Sequence, residues 1–179
     1  MTERAALDPA LLDFRPLAKS DLPWLSTWLN APHARRWFGD GRSLESVLEE
    51  YVPYIEGTVP IRALLVSHAK RPIGMISWER FGDFPDFMRT YAVDDPEAVN
   101  CDVVIGEADA VHRGLGGPML RRFLREIVFC DPRYTSCIID PRPENTSAIR
   151  AYEKAGFRPV ERQSTAWGNV LLMQRDKTP

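Results

Sequence analysis

Residues 145–157 read Asn-Thr-Ser-Ala-Ile-Arg-Ala-Tyr-Glu-Lys-Ala-Gly-Phe, and this stretch organises the carboxyl half of the chain. Asn145 is a good helix N-cap, and Gly156 suits the left-handed position that closes a helix. A helix is therefore predicted over 145–155. Thr135 to Ile139 reads as a strand before it, and another strand begins near Phe157. Strand, helix and strand with a short return make a βαβ crossover, so parallel neighbouring strands are expected in this half.

Upstream, Asn100 to Ile105 is a β-rich segment, and Pro118 to Phe129 places Met119, Leu120, Phe123, Leu124, Ile127 and Val128 on one side of an amphipathic helix. Between them lies Val111-His112-Arg113-Gly114-Leu115-Gly116-Gly117-Pro118. Glycines let backbone approach a ligand closely, and N–H groups at a helix start can cradle phosphate oxygens. Pro118 fits the first helical turn, and Arg113 offers a positive charge to phosphate. The competing interpretation is a plain glycine turn before a helix. A dinucleotide fold would need the glycines directly after the strand, whereas six residues separate Ile105 from His112.

In the amino half, Phe14 to Leu17 reads as a short strand. Ser20-Asp21 and Pro23 start a helix carrying Leu22, Leu25, Trp28 and Leu29 at core-facing spacing, which Asn30 to Pro32 stops. After a turn at 39–41, Ser43 opens a second helix through Ile55. Ile61 to Val66 and Ile73 to Trp78, joined by Lys70-Arg71-Pro72, predict an antiparallel hairpin. Residues 81–99, interrupted by Gly82, Pro85 and Pro96 and rich in acids, predict a long surface loop.

The chain has 179 residues, 44% hydrophobic and 27% charged, a composition that suits one soluble globular domain spanning 1–179. A net charge of -2 and a pI near 5.9 supply no basic field for nucleic acid or an anionic membrane. The amino terminus carries Glu3 and Arg4 and lacks a signal-length apolar run, and no segment has the length of a membrane span, so a cytoplasmic location is expected. Cys101, Cys130 and Cys137 form an odd set without zinc spacing and are read as reduced. His33, His68 and His112 are scattered, so no metal is expected.

The glycine loop and the 145–157 helix together resemble the GNAT acetyltransferases, whose signature is Gln/Arg-x-x-Gly-x-Gly/Ala followed by an Asn-led helix ending Tyr-Glu-Lys-x-Gly-Phe. Val111 departs from the usual Gln or Arg. Within that superfamily the chain looks most like aminoglycoside 6'-N-acetyltransferases, from about Phe14 to Gln174. The matching pieces include Asp21-Leu22, Trp28-Leu29-Asn30, His33, Trp37-Phe38-Gly39, Tyr51-Val52-Pro53, Pro72-Ile73-Gly74, Asp95-Pro96, Asp102 and Asp140-Pro141.

The resemblance implies an α/β fold with a central mixed sheet, splayed parallel strands and flanking helices. It implies acetyl-CoA as co-substrate, held by Val104, Ile105, His112, Arg113, Gly114, Leu115, Gly116, Gly117, Asn145 and Tyr152. The amine would attack the thioester directly, with Asp102 as general base and Tyr152 as proton donor to the thiolate. An acceptor with several ammonium groups would meet Asp94, Asp95, Asp102 and Asp140, with Trp37 and Tyr51 against its sugar rings. Thr90-Tyr91-Ala92-Val93 replace a stretch that is usually richer in Trp and Glu. The rivals are an N6-hydroxylysine acyltransferase of a siderophore pathway, whose strand-borne histidine is absent from Ile73 to Trp78, and a non-catalytic acetyl-CoA sensor. The protein is expected to work as a monomer or homodimer.

Overall fold

The computed structural model describes residues 5–39, 41–166 and 168–178. Glu3, Arg4 and the middle of the 39–41 turn lie outside them. Strand β1 (Leu12–Pro16) is followed by helices α1 (Leu22–Leu29), α2 (Pro32–Phe38) and α3 (Leu44–Glu56), and then by β2 (Ile61–His68) and β3 (Arg71–Arg80). Helix α4 (Pro85–Tyr91) precedes β4 (Val99–Ile105), α5 (Gly116–Phe123), β5 (Ser136–Ile139), α6 (Thr146–Lys154), β6 (Arg158–Thr165) and β7 (Gly168–Asp176). One mixed seven-stranded sheet results, in the order β1-β2-β3-β4-β5-β7-β6. By contact density the chain forms two compact units. The first runs to Trp78 and takes back Asp102–Leu115; the second comprises Glu79–Cys101 and everything from Gly116 onward.

In the first unit, the predicted stripe of α1 is buried: Leu22, Leu25 and Leu29 are fully enclosed and Trp28 is 2% exposed. Each such side chain contributes about 1.5–3 kcal/mol by leaving water. Asp21 does not cap α1 through its side chain. Its carboxylate instead takes both arms of the Arg15 guanidinium at 2.7 Å and accepts the Ala18 N–H. Asn30 ends α1 as expected, but the chain re-enters a helix at once, because Pro32 in the first turn already holds a helical φ. Ser43 caps α3 by accepting the Ser46 N–H at 3.1 Å. The β2–β3 turn is Ala69-Lys70, both with positive φ, a geometry matched to hairpin twist, and β3 accordingly begins at Arg71, two residues before the expected Ile73.

The second unit corrects the loop expected over 81–99. Pro85 starts α4 rather than breaking structure, and Phe81 and Tyr91 are buried. Phe81 stacks on Phe87 at 5.2 Å and Tyr91 meets Phe87 edge-on at 4.6 Å, in a cluster with Ala98, Ile138, Val170 and Leu172. The Pro118–Phe129 helix begins two residues earlier, at Gly116, and relaxes into a π-helical turn over Leu124–Val128.

Parallel neighbours are present, but they are β4 and β5, with Val99 opposite Cys137 and Asn100 opposite Ile138. The strands either side of α6 are not adjacent. Strand β7 runs antiparallel between them, pairing with β5 on one side and β6 on the other. Burial explains this order: β7 brings Val170, Leu172 and Met173 to the interior, while β6 has no buried position and makes a suitable edge. The three cysteines are free thiols, Cys101 and Cys137 buried and Cys130 exposed.

Candidate functional site

Within the first unit, β4 presents Asp102 to solvent two residues before buried Val104, on the same side of the strand by alternation. Ile105 is half-buried, and its carbonyl meets Nε2 of His33 at 3.0 Å, tying α2 to the end of β4. Just beyond, Gly106 accommodates the Trp28 ring, whose indole N–H donates to Glu107 at 2.8 Å. Tyr51 on α3 is 5% exposed and edge-on to Tyr54 at 5.2 Å. Its phenol is pushed far above the ordinary range, first by burial and then by the negative charges of Glu50 and Asp102. The fold therefore puts the Asp102 carboxylate within electrostatic reach of a phenol that stays protonated. Trp37 on α2 is half-buried, and the Arg36 guanidinium lies 4.1 Å from its ring centre.

The loop after β4 is left-handed at His112 (φ 60) and Gly114 (φ 80). A Cβ on Gly114 would meet only Ala6, at 3.9 Å, so the backbone there is open to close approach by a ligand. Leu115 is buried and anchors the loop. Arg113 is engaged by neighbouring backbone. Its guanidinium donates to the carbonyls of Ala5 and Asp109, while its own carbonyl accepts the Leu7 N–H at 3.1 Å.

In the second unit, Gly116 and Gly117 open α5. A Cβ on Gly116 would come to 3.0 Å from that of Ala151, and one on Gly117 to 3.0 Å from that of Lys154, so both glycines also permit close packing against α6. The first-turn amides of a helix have no partner within the helix, and this end is suited to an anion. Within the first unit, the turn open at Gly114 leaves backbone accessible to a ligand.

Asn145 is the N-cap of α6, its side-chain oxygen accepting the Ala148 N–H at 3.2 Å. Tyr152 is half-buried on α6 with its ring 6.0 Å from that of Phe157. Asp140, just after β5, accepts a 2.5 Å hydrogen bond from the hydroxyl of Tyr91. Burial pushes the Asp140 carboxyl above its ordinary value, and the bond from Tyr91 is the largest of the effects that pull it back. Asp94 is exposed and Asp95 half-buried; Asp95 accepts from the Thr135 hydroxyl and the Glu97 N–H. Glu107 holds Trp28 in the first unit and Tyr91 holds Asp140 in the second, and neither stands at a spacing that sequence could have flagged. Among the described residues, no group of three or more His, Cys, Asp or Glu could hold a metal, and no helix is long and apolar enough to cross a membrane.

The family model for an acetyltransferase (GNAT) domain matches residues 18–165. The chain is 34% identical over 158 residues to an aminoglycoside N(6')-acetyltransferase type 1 of Klebsiella pneumoniae, covering 84% of this chain and 74% of that protein. It is 26% identical over 171 residues to the lysine N-acyltransferase MbtK of Mycolicibacterium paratuberculosis, covering 95% and 75% respectively. A crystal structure of the aminoglycoside acetyltransferase AAC(6')-Ib with coenzyme A and kanamycin superposes with a TM-score of 0.83 at 28% identity, over 93% of this chain and 95% of that one.

Proposed function

Because the chain belongs to the GNAT acetyltransferase family, we propose that it transfers an acetyl group from acetyl-CoA to the 6'-amino group of an aminoglycoside, in the cytoplasm, as one domain spanning 1–179. The observation that carries this is the 34% identity to an aminoglycoside N(6')-acetyltransferase, maintained over most of both chains.

Acetyl-CoA supplies the acetyl group as a thioester. The amides over 112–117 hold its pyrophosphate, with Val104, Ile105 and Asn145 along the pantetheine arm. An alkylammonium is mostly protonated at neutral pH and is not a nucleophile until it gives up a proton. Asp102, exposed on β4, accepts that proton. Tyr152 donates its hydroxyl proton to the departing sulfur. Asp94, Asp95 and Asp140 face the ammonium groups of the acceptor, and Trp37 and Tyr51 its rings. The N-acyltransferase alternative draws on the MbtK match, but the absence of histidine from Ile73 to Trp78 favours the aminoglycoside.

The test is thiol release from acetyl-CoA against kanamycin and N6-hydroxylysine, with wild type, Asp102→Asn and Tyr152→Phe. Asp102→Asn should lower kcat by roughly 10²- to 10⁴-fold and leave acetyl-CoA binding intact. Tyr152→Phe should lower kcat on the order of 10²-fold with acetyl-CoA affinity unchanged. Turnover of N6-hydroxylysine alone would refute the acceptor, and a normal kcat in Asp102→Asn would refute the base.

A further inference from the structure

The second unit contains a cavity of about 500 Å³ over β5 and β7. Strand alternation determines what looks into it. On β5, Ser136 and Ile138 line the cavity and Cys137 and Ile139 do not; on β7, Leu172, Gln174 and Asp176 line it and Met173 and Arg175 do not. The antiparallel register sets Ser136 opposite Asp176 and Ile138 opposite Gln174. Ile138 and Leu172, with the ring of Tyr91, give the cavity an apolar floor.

Four carboxylates surround that floor: Asp94 and Asp95 from the segment before β4, Glu161 from β6 and Asp176 from β7. No lysine or arginine lines it. Amide donors hold two of the carboxylates, Gln174 at 2.7 Å on Asp176 and Gln163 on Glu161. Asp94 has no partner among the described residues. The one cation paired with these acids among the described residues is Arg158, 3.4 Å from Asp176 and 80% exposed.

Ser136 is an independent sign that something binds. It is 5% exposed, it sits on the cavity-facing side of β5, and its hydroxyl has no hydrogen-bond partner among the described residues. A ligand in the cavity can therefore engage the Ser136 hydroxyl. Four carboxylates with no lysine or arginine in the lining, an unpaired hydroxyl and an apolar floor suit an ammonium group on a short hydrocarbon frame.

We propose that this cavity binds a protonated alkylamine. The amino groups of the acceptor that are not acetylated are one source, which rests on the function proposed above; a free linear polyamine is the other, which does not.

The experiment is calorimetric titration of kanamycin and of spermidine, without an acetyl donor, into the wild type, a Glu161→Gln/Asp176→Asn double variant and Val160→Lys. Val160 is 58% exposed at a bulge in β6 and lines the same cavity, so a lysine there adds a competing cation without disturbing the core. In both variants the affinity should fall about tenfold at low ionic strength and by less in high salt. A fall for kanamycin identifies the acceptor as the source, and a fall for spermidine alone identifies a separate amine. Unchanged affinity for both probes in both variants, or failure of both to bind the wild type, overturns the proposal. If the double variant does not fold, Val160→Lys decides. A wild type that does not acetylate kanamycin, yet binds spermidine in a Val160-sensitive way, refutes the acceptor and keeps the cavity.

Discussion

Replacing Tyr91 with phenylalanine removes one oxygen and tests how far the Tyr91 hydroxyl offsets the effect of burial on Asp140. The Tyr91 ring is 3% exposed and packs edge-on to Phe87 at 4.6 Å and to Phe81 at 6.4 Å, contacts that a phenyl ring retains. What disappears is the 2.5 Å hydrogen bond to Asp140. Hydrogen bonds to charged groups contribute about 1.5–3 kcal/mol, and this one favours the carboxylate against a burial that disfavours it. Without it, Asp140 retains its proton to higher pH. If Asp140 meets the acceptor as an anion, the acid limb of kcat/KM for kanamycin moves to higher pH, while the alkaline limb stays in place. The stability consequence has the same origin. A carboxyl whose folded value is raised adds stability below its unfolded value and loses it as pH rises through the folded one. Tyr91→Phe should therefore be destabilised most near neutrality and least in acid. The assays are the pH profile of kcat/KM and an NMR titration of the Asp140 carboxyl carbon. An acid limb and a titration that both coincide with wild type would refute the assigned role of Tyr91.

Two further substitutions test the frame that carries the first unit's residues. A Cβ at Gly106 would lie 1.9 Å from Cγ of Trp28, whose ring is held by Glu107, so Gly106→Ala should cost about 2–3 kcal/mol and lower the melting midpoint by roughly 5–10 °C in a differential scanning experiment; an unchanged midpoint would show that the ring yields freely. The Arg15 guanidinium, bidentate on Asp21, holds that carboxyl below its ordinary value of 3.8, which adds stability above that value and loses it as pH falls through the lower folded one. Asp21→Asn should therefore be less stable than wild type by about 2 kcal/mol at neutral pH, with the gap closing below about pH 3.8 in denaturant titrations, and a gap independent of pH would refute the pair's contribution.

The amino-acid sequence by itself determined the features that depend on near neighbours in the chain. Ser43 and Asn145 cap helices with their own side chains, the Leu22, Leu25, Trp28, Leu29 stripe is buried, and the left-handed backbone at Gly114 sits where the glycine loop was expected. Each follows from a capping hydroxyl or amide, a 3.6-residue period or a missing Cβ, all legible within a few residues, and the family likeness rests on the same local motifs. Partners far apart in the chain were decided only by the tertiary structure. The insertion of β7 between β5 and β6 depends on which strand buries more apolar surface, a comparison across the whole sheet. Tyr91 and Asp140 are 49 residues apart, and no periodicity links them. Pro85 was expected to interrupt structure, yet it opens a helix because Phe87 and Tyr91 find Phe81 to pack on. The Arg113 guanidinium donates to the carbonyl of Ala5, 108 residues away in the chain, a contact no local pattern announces. A side chain's type tells which bonds it can form, and only the folded chain determines which partners come within reach.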